Sequence, residues 1–375
     1  MAIFVLYPAY MHDFCPIKRF DHLEFYVGNA KQAAFFYANC LGFVNTAYRG
    51  LETGSRDVAS YVMEQGDIRF VLTSPLGPDH DVARLVKQHG DGVGVIGLEV
   101  PDAEAAFRET TTRGARPAFE AVERRDEGGK LREAAIHGYG DTLIKFVERD
   151  GYRGAFAPSF RPTGKKASPQ EGVGLTAIDH IVGNVELGGM ETWVEFFAKT
   201  MGFSQLVHFD DKSISTEYSA LMSKVMQDGT GRVKFPINEP ATGRRKSQIQ
   251  EYLDYYRGPG VQHIACATTD IVDTVWNLRS RGLEFLRVPS TYYEDLERRV
   301  GKIAEPIDKL AELGILVDRD DEGYLLQIFT QPVEDRPTVF FEVIERHGAR
   351  GFGEGNFKSL FEAIEREQAR RGNLV

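Results

Sequence analysis

The chain has 375 residues, and at one domain per roughly 150 residues this length predicts two domains or three. Hydrophobic residues make up 42% and charged residues 27%, which excludes disorder over most of the length. With 45 Lys+Arg against 55 Asp+Glu the formal charge is -10, which disfavours a binder of nucleic-acid phosphates or of an anionic membrane surface.

No apolar run approaches the roughly 18 residues of a membrane span. The stretch Ala2 to Tyr7 is broken at Pro8 and lacks the basic start and small-residue cleavage site of a signal peptide. Cys15, Cys40 and Cys266 form no C-x-x-C pair, which fits a reducing cytoplasm better than a disulfide framework or a structural zinc site.

In chain order, Phe20-Asp21-His22-Leu23 opens the pattern. Asn29 to Cys40 predicts a helix from an Asn cap, with Ala33, Phe36, Tyr37 and Cys40 at helical spacing, closing at Leu41-Gly42-Phe43. Ser60 to Met63 and Ile68 to Leu72 read as strands around a Gly66-Asp67 turn. Val95 to Val100 is a further strand and Asp102 to Arg113 a further helix. From Ala155 to Gly174 stand Pro158, Pro162 and Pro169 with no periodicity, a linker. The pattern then restarts at Ile178-Asp179-His180-Ile181 and closes its helix at Met201-Gly202-Phe203. Gly66 to Phe70 is answered by Gly231 to Phe235, Gly90-Asp91-Gly92-Val93 by Gly258-Pro259-Gly260-Val261, Arg113-Gly114 by Arg281-Gly282, and Phe146 to Arg149 by Val343 to Arg346.

The order of these matches is kept and their offset only grows, as one unit duplicated and then lengthened by insertions would leave. Each half reads as two β-α-β-β units whose sheets can curl into a half-open barrel. The chain divides as 1–154, a linker 155–174, a second copy 175–350, and an added helix in 351–375. Asn356 is expected to cap that helix, with Phe357, Leu360, Phe361 and Ile364 as its apolar stripe and Gly372 past its end. The glycines of Gly351 to Gly355 read as a flexible hinge before it. Arg244-Arg245-Lys246 reads as a solvated loop, and His89, His137 and His208 as structural or exposed. No nucleophile elbow, Walker loop or dinucleotide fingerprint is present.

The two copies can be compared with each other. The second carries His180, His263 and Glu342; the matching first-half positions are His22, Val95 and Lys145. Taken singly, each histidine fits a core or surface position as well as a ligand, and His22 is read as structural. Two imidazoles and a carboxylate at homologous places of the repeat are, however, the ligand set of the non-haem Fe(II) facial triad. Strand alternation puts Phe340 on the face of Glu342 and Gln327 on the face of Phe329, and it turns Gln262 away from the side taken by His263.

With these residues in place, the duplicated units resemble the vicinal oxygen chelate superfamily. More narrowly, the second half resembles the 4-hydroxyphenylpyruvate dioxygenase family. The resembling stretches include Tyr218 to Ser223, Phe235 to Pro240, Lys246 to Gln250, Gly260 to Ile264, Leu326 to Thr330, Asp335 to Arg346 and Gly351 to Phe357. The resemblance implies an α+β fold of duplicated βαβββ modules, two half-open barrel domains plus a C-terminal lid helix, with the N-terminal metal site degenerate. It implies one Fe(II) per chain on His180, His263 and Glu342. It also implies a polar network of Ser223, Asn238 and Gln248 toward the phenol end of the substrate, and Gln327 near the iron. Phe329, Phe340, Phe352 and Phe357 would form the substrate pocket.

The implied reaction takes 4-hydroxyphenylpyruvate and O2 to homogentisate and CO2 through oxidative decarboxylation, ring hydroxylation and side-chain migration. The keto acid supplies the electrons, so no flavin, nicotinamide or 2-oxoglutarate is called for. A cytoplasmic homo-oligomer, dimer or tetramer, is expected, with no nucleic-acid or membrane partner. The sister family, 4-hydroxymandelate synthase, uses the same substrate and metal but tends to carry aliphatic residues where this chain has Asn238 and Phe357. A non-catalytic binding protein of the same superfamily and an extradiol catechol dioxygenase are the readings from other classes.

Overall fold

The computed structural model describes residues 13–168, 172–209, 220–241 and 246–373. The run Ala2 to Tyr7, Pro169, Tyr218, Arg244 and Arg245 lie outside the described residues, as do the side chains of His208 and Phe361.

Two curled sheets correspond to the two copies. In the first half β1 (Arg19–Tyr26) leads into α1 (Ala30–Asn39), then β2 (Val44–Arg49), β3 (Val58–Gln65) and β4 (Ile68–Pro75). After α2 (Asp81–His89), the unit repeats as β5 (Gly92–Glu99), α3 (Ala103–Thr112), β6 (Pro117–Asp126), β7 (Gly129–His137) and β8 (Leu143–Glu148). The second half runs β10 (Leu175–Asn184), α4 (Met190–Met201), β11 (Ser204–Phe209), β12 (Ala220–Gln227), β13 (Lys234–Ala241) and α5 (Gln248–Tyr256). It closes with β14 (Gly260–Thr268), α6 (Ile271–Ser280), β15 (Leu316–Arg319), β16 (Tyr324–Phe329) and β17 (Phe340–His347), three short helices being inserted before β15: α7 (Thr291–Glu294), α8 (Leu296–Val300) and α9 (Ile307–Leu313). Each module therefore holds three strands after its helix, one more than the sequence pattern of two suggests.

The helices start and stop for local reasons. The Asn29 side chain accepts from the Gln32 amide to cap α1, and Asp102 and Asp270 do the same for α3 and α6. After α4 the chain turns back through Gly202 at φ +75°, a left-handed conformation that glycine adopts without a Cβ penalty; Gly42 at φ +72° makes the matching turn after α1.

The linker is not a free tether. A two-residue strand β9 (Arg161–Pro162) pairs with β2, and Phe156 and Phe160 pack against Val62 and Val71 of the first sheet. The halves share one apolar core: Tyr37 and Phe70 of the first meet the Phe341 ring of the second at 6.0 and 5.9 Å. The Gly66-Asp67 turn rests on the start of β10, the Asp67 amide donating to the Thr176 carbonyl at 2.6 Å.

The terminal helix α10 (Phe357–Arg370) lies over the second sheet, but its start differs from expectation. Asn356 has helical backbone angles at the end of a short 3-10 turn and makes no side-chain cap; its Oδ1 accepts from the Tyr292 hydroxyl at 2.6 Å. A capping side chain needs extended backbone at that position, which the preceding turn denies. The glycine segment before it is fastened too, with Asp320 accepting from the Arg350 and Gly351 amides at 2.7 Å each and Asp318 from the Gly355 amide at 3.0 Å.

Candidate metal centre

Three neighbouring strands supply the triad. His180 stands on β10, His263 on β14 and Glu342 on β17, and pairing sets His180 opposite Ala265, His263 opposite Val182, and Ala265 opposite Glu342. Their ligand atoms lie within 4.8 Å of one another. Glu342 Oε2 is 3.2 Å from His180 Nε2 and 3.4 Å from His263 Nε2. Donors about 2.1 Å from a common ion at right angles would sit about 3 Å apart, so this spacing suits one small cation. Glu342 Oε1 is buried without a hydrogen-bond partner, a second donor atom left for such an ion. The residues present fit the metal.

The orientation of the histidines comes from irregularities in the sheet. Between Ile178 and His180 the register with β14 slips by one residue, and it slips again between Val182 and Gly183. The extra residues, Asp179 and Gln262, are bulges, which turn two successive side chains the same way. Asp179 Oδ1 consequently lies 2.7 Å from His180 Nδ1, and Gln262 Oε1 lies 3.0 Å from His263 Nδ1. Each partner occupies Nδ1 and leaves Nε2 toward Glu342, fixing ring and tautomer for a metal. Strand alternation alone places Gln262 on the far face; the bulge corrects that expectation and brings it into the cavity wall. Gln262 is a site residue that alternation hid, although its counterpart at the same repeat offset is Gly94.

Charge is arranged around the same point. Burial works against the Asp179 carboxylate, but Arg346, donating from Nε and Nη2 at 2.8 Å each, and His180 hold its pKa well below the ordinary value. Burial also opposes the Glu342 anion, yet the two imidazoles keep its pKa lowered. Burial lowers the pKa of His263, while for His180 it is outweighed by Glu342 and Asp179, which raise it.

The triad forms one wall of a narrow cavity of about 70 Å³. His263 stacks on Phe340 at 4.8 Å and meets the edge of Phe329 at 5.9 Å; His180 meets Phe352 at 5.1 Å. Ser223 and Asn238 are cross-strand partners on β12 and β13, and Gln248 opens α5 behind the Ser247 cap; all three side chains line the cavity. Phe357, Leu360 and Ile364 of α10 cover it. Gln327 is not among the lining residues. It shares the inward face, but its amide lies against Gly353, where an added Cβ would come within 2.1 Å of Nε2.

Comparison with known proteins agrees with this geometry. The family model described as "Hydroxyphenylpyruvate dioxygenase, HPPD, N-terminal" matches residues 13–157, and that of the "Glyoxalase/Bleomycin resistance protein/Dioxygenase superfamily" matches residues 177–328. The chain is 48% identical to 4-hydroxyphenylpyruvate dioxygenase of Aspergillus fumigatus, covering 96% of this chain and 94% of the relative. It is 50% identical to the enzyme of that name from Dictyostelium discoideum, covering 96% and 100%. Among solved structures, a mutant 4-hydroxymandelate synthase from Streptomyces coelicolor superposes with a TM-score of 0.85 at 32% identity, covering 94% of this chain and 99% of that one. Similarity at 48–50% identity over nearly the full length makes this chain a member of the 4-hydroxyphenylpyruvate dioxygenase family.

Proposed function

We propose that this protein is an Fe(II)-dependent dioxygenase that converts 4-hydroxyphenylpyruvate and O2 to homogentisate and CO2. The observation that carries the reading is the convergence of His180 Nε2, His263 Nε2 and Glu342 on one side of an aromatic cavity with a polar patch of Ser223, Asn238 and Gln248. When bound there, Fe(II) supplies a redox-active Lewis acid with positions open to a 2-oxo acid and dioxygen.

The chain's own residues position the substrate and keep water out. Phe329, Phe340 and Phe352 offer faces and edges to an aromatic ring beside the triad, and the amide and hydroxyl groups of Asn238, Gln248 and Ser223 can hydrogen-bond its phenol. The free space of about 70 Å³ is about half that of a dry protein cavity of roughly 150 Å³ that admits benzene. Admission of an aryl keto acid therefore requires Phe357, Leu360 or Ile364 to move, and their return excludes water from the reacting groups.

The test uses chelator-treated protein reconstituted anaerobically with Fe(II), then given 4-hydroxyphenylpyruvate and air, with oxygen uptake followed and the product identified by proton NMR. Homogentisate is expected. Hydroxymandelate, which has the same mass, would keep the metal and ligands but overturn the role given to Asn238 and Phe357. Bound iron without oxygen uptake would overturn the reaction.

A further inference from the structure

A second, wider cavity lies outside the catalytic barrel. It is an open groove of about 700 Å³ between α6 and α9, and its lining includes Trp276, Lys309, Glu305, Glu345 and His347. Glu345 and His347 stand two apart on β17, on the face opposite Glu342, so one strand serves two sites. Glu305 precedes Pro306, the N-cap residue of α9, inside the insertion that the first half lacks.

We propose that Glu305, Glu345 and His347 form a second divalent-cation site facing this groove. Three observations support it. His347 Nε2 lies 2.9 Å from Glu345 Oε1 and 3.1 Å from Glu305 Oε1, the spacing of neighbouring donors around one small ion and close to the 3.2 and 3.4 Å of the catalytic triad. Glu305 Oε2 is buried without a hydrogen-bond partner and is available as a further donor. The three side chains are already held: His347 lies flat on the Tyr324 ring at 4.4 Å and 6°, Glu345 Oε2 accepts from the Ile271 amide at the start of α6 at 2.7 Å, and Glu305 Oε1 accepts from the Tyr324 hydroxyl at 3.4 Å.

The comparison between halves separates an inherited role from a new one. Glu148, the first-half counterpart of Glu345, accepts from the Ala103 amide at the start of α3 in the same way, at 3.1 Å. Fastening the helix start is thus common to both copies, and the other oxygen of Glu345, Oε1, is what the second copy turns toward His347. The position matching His347 is Asp150, and no counterpart of Glu305 exists. Two carboxylates and one imidazole suit a first-row divalent ion such as Zn(II), Mn(II) or Co(II), with the open groove leaving room for water ligands. Such an ion would clamp the inserted helices to the strand that carries Glu342.

The experiment uses the full chain with His263→Ala and Glu342→Ala to silence the catalytic triad. After chelator treatment, Zn(II) binding is measured by calorimetry and Co(II) binding by its visible absorption. One ion per chain is expected, and Glu305→Gln or His347→Gln should weaken Zn(II) binding more than about 10-fold. Co(II) should also quench Trp276, one of two tryptophans in the chain, and Trp276→Phe should remove that signal. In the chain with its catalytic triad intact, Glu305→Gln alone should reduce the stoichiometry from two ions to one, so the result does not depend on the silenced variant folding. No ion bound, or an ion retained after both substitutions, overturns the site and leaves His347 as a hydrogen-bonded clamp between two carboxylates.

Discussion

The two halves share a scaffold yet differ at its centre. In the first half Asp21 is the bulge residue of β1, His22 Nδ1 lies 2.9 Å from Asp21 Oδ1, and Arg149 Nη2 donates to the same carboxylate at 2.8 Å. This reproduces Asp179, His180 and Arg346 contact for contact. The Asp–His–Arg chain is therefore part of the fold and not in itself a mark of metal binding. What differs is the rest of the triad. The site of His263 is taken by the buried Val95, and that of Glu342 by Lys145, which register places opposite Gly97 as Glu342 is opposite Ala265. Lys145 Nζ lies 3.7 Å from both Glu24 and Glu133, so a resident ammonium stands where the second half collects donors. His22 Nε2 is buried without a hydrogen-bond partner.

The largest effect should come from removing the anionic ligand. Glu342→Ala is expected to abolish oxygen uptake and iron retention together; full activity with bound iron would show that the charge comes from elsewhere. Rebuilding the lost site tests the comparison from the other direction. Val95→His with Lys145→Glu should add a cation site beside His22, read as one extra Co(II) per chain and as a melting temperature that rises with added metal. An unchanged stoichiometry would mean that ligand identity is not the main difference between the halves.

A sharper test substitutes the matched aspartates. Asp179→Asn should lower iron affinity about 10–100-fold through misorientation of His180, whereas Asp21→Asn should leave it unchanged. Asp21→Asn should instead cost about 3 kcal/mol of stability by leaving the Arg149 guanidinium without its buried partner. Burial opposes the Asp21 anion, but Arg149 and His22 hold its folded pKa well below 3.8. Its contribution is therefore complete above the unfolded value and declines progressively as pH falls below about 4 toward the folded value, so the melting-temperature gap between wild type and Asp21→Asn should narrow steadily from there. A constant gap from pH 7 to pH 3 would contradict that origin.

The smallest effect concerns the cover that only the second half has. Phe357→Ile should leave iron binding intact while shifting product toward hydroxymandelate or uncoupling oxygen uptake from product, both read by NMR against oxygen consumed. Unchanged rate and product would count against contact between Phe357 and the substrate.

Much of this was legible in the chain itself. A duplication keeps the pairing register of its strands, so the offsets that matched Phe20 to Ile178, Gly90 to Gly258 and Phe146 to Val343 also place His180, His263 and Glu342 at positions equivalent to His22, Val95 and Lys145, and β10, β14 and β17 then bring them side by side. Local rules sufficed for the Asn29 cap, the Gly66-Asp67 turn and the glycines that end α1 and α4. Tertiary structure decided what depends on departures from regularity or on distant partners. The bulge at Gln262 reverses the side chain that alternation assigns, because one extra residue is absorbed between two paired strands. Gln327 shares the inward face but its amide is packed beside Gly353 without a hydrogen-bond partner, and Asn356 accepts from Tyr292 instead of capping a helix start. Glu305 meets His347 only because the inserted helices fold back across the sheet. Strand period and spacing encode which face a residue takes; which partner it meets there is set by the packing of segments far apart in sequence.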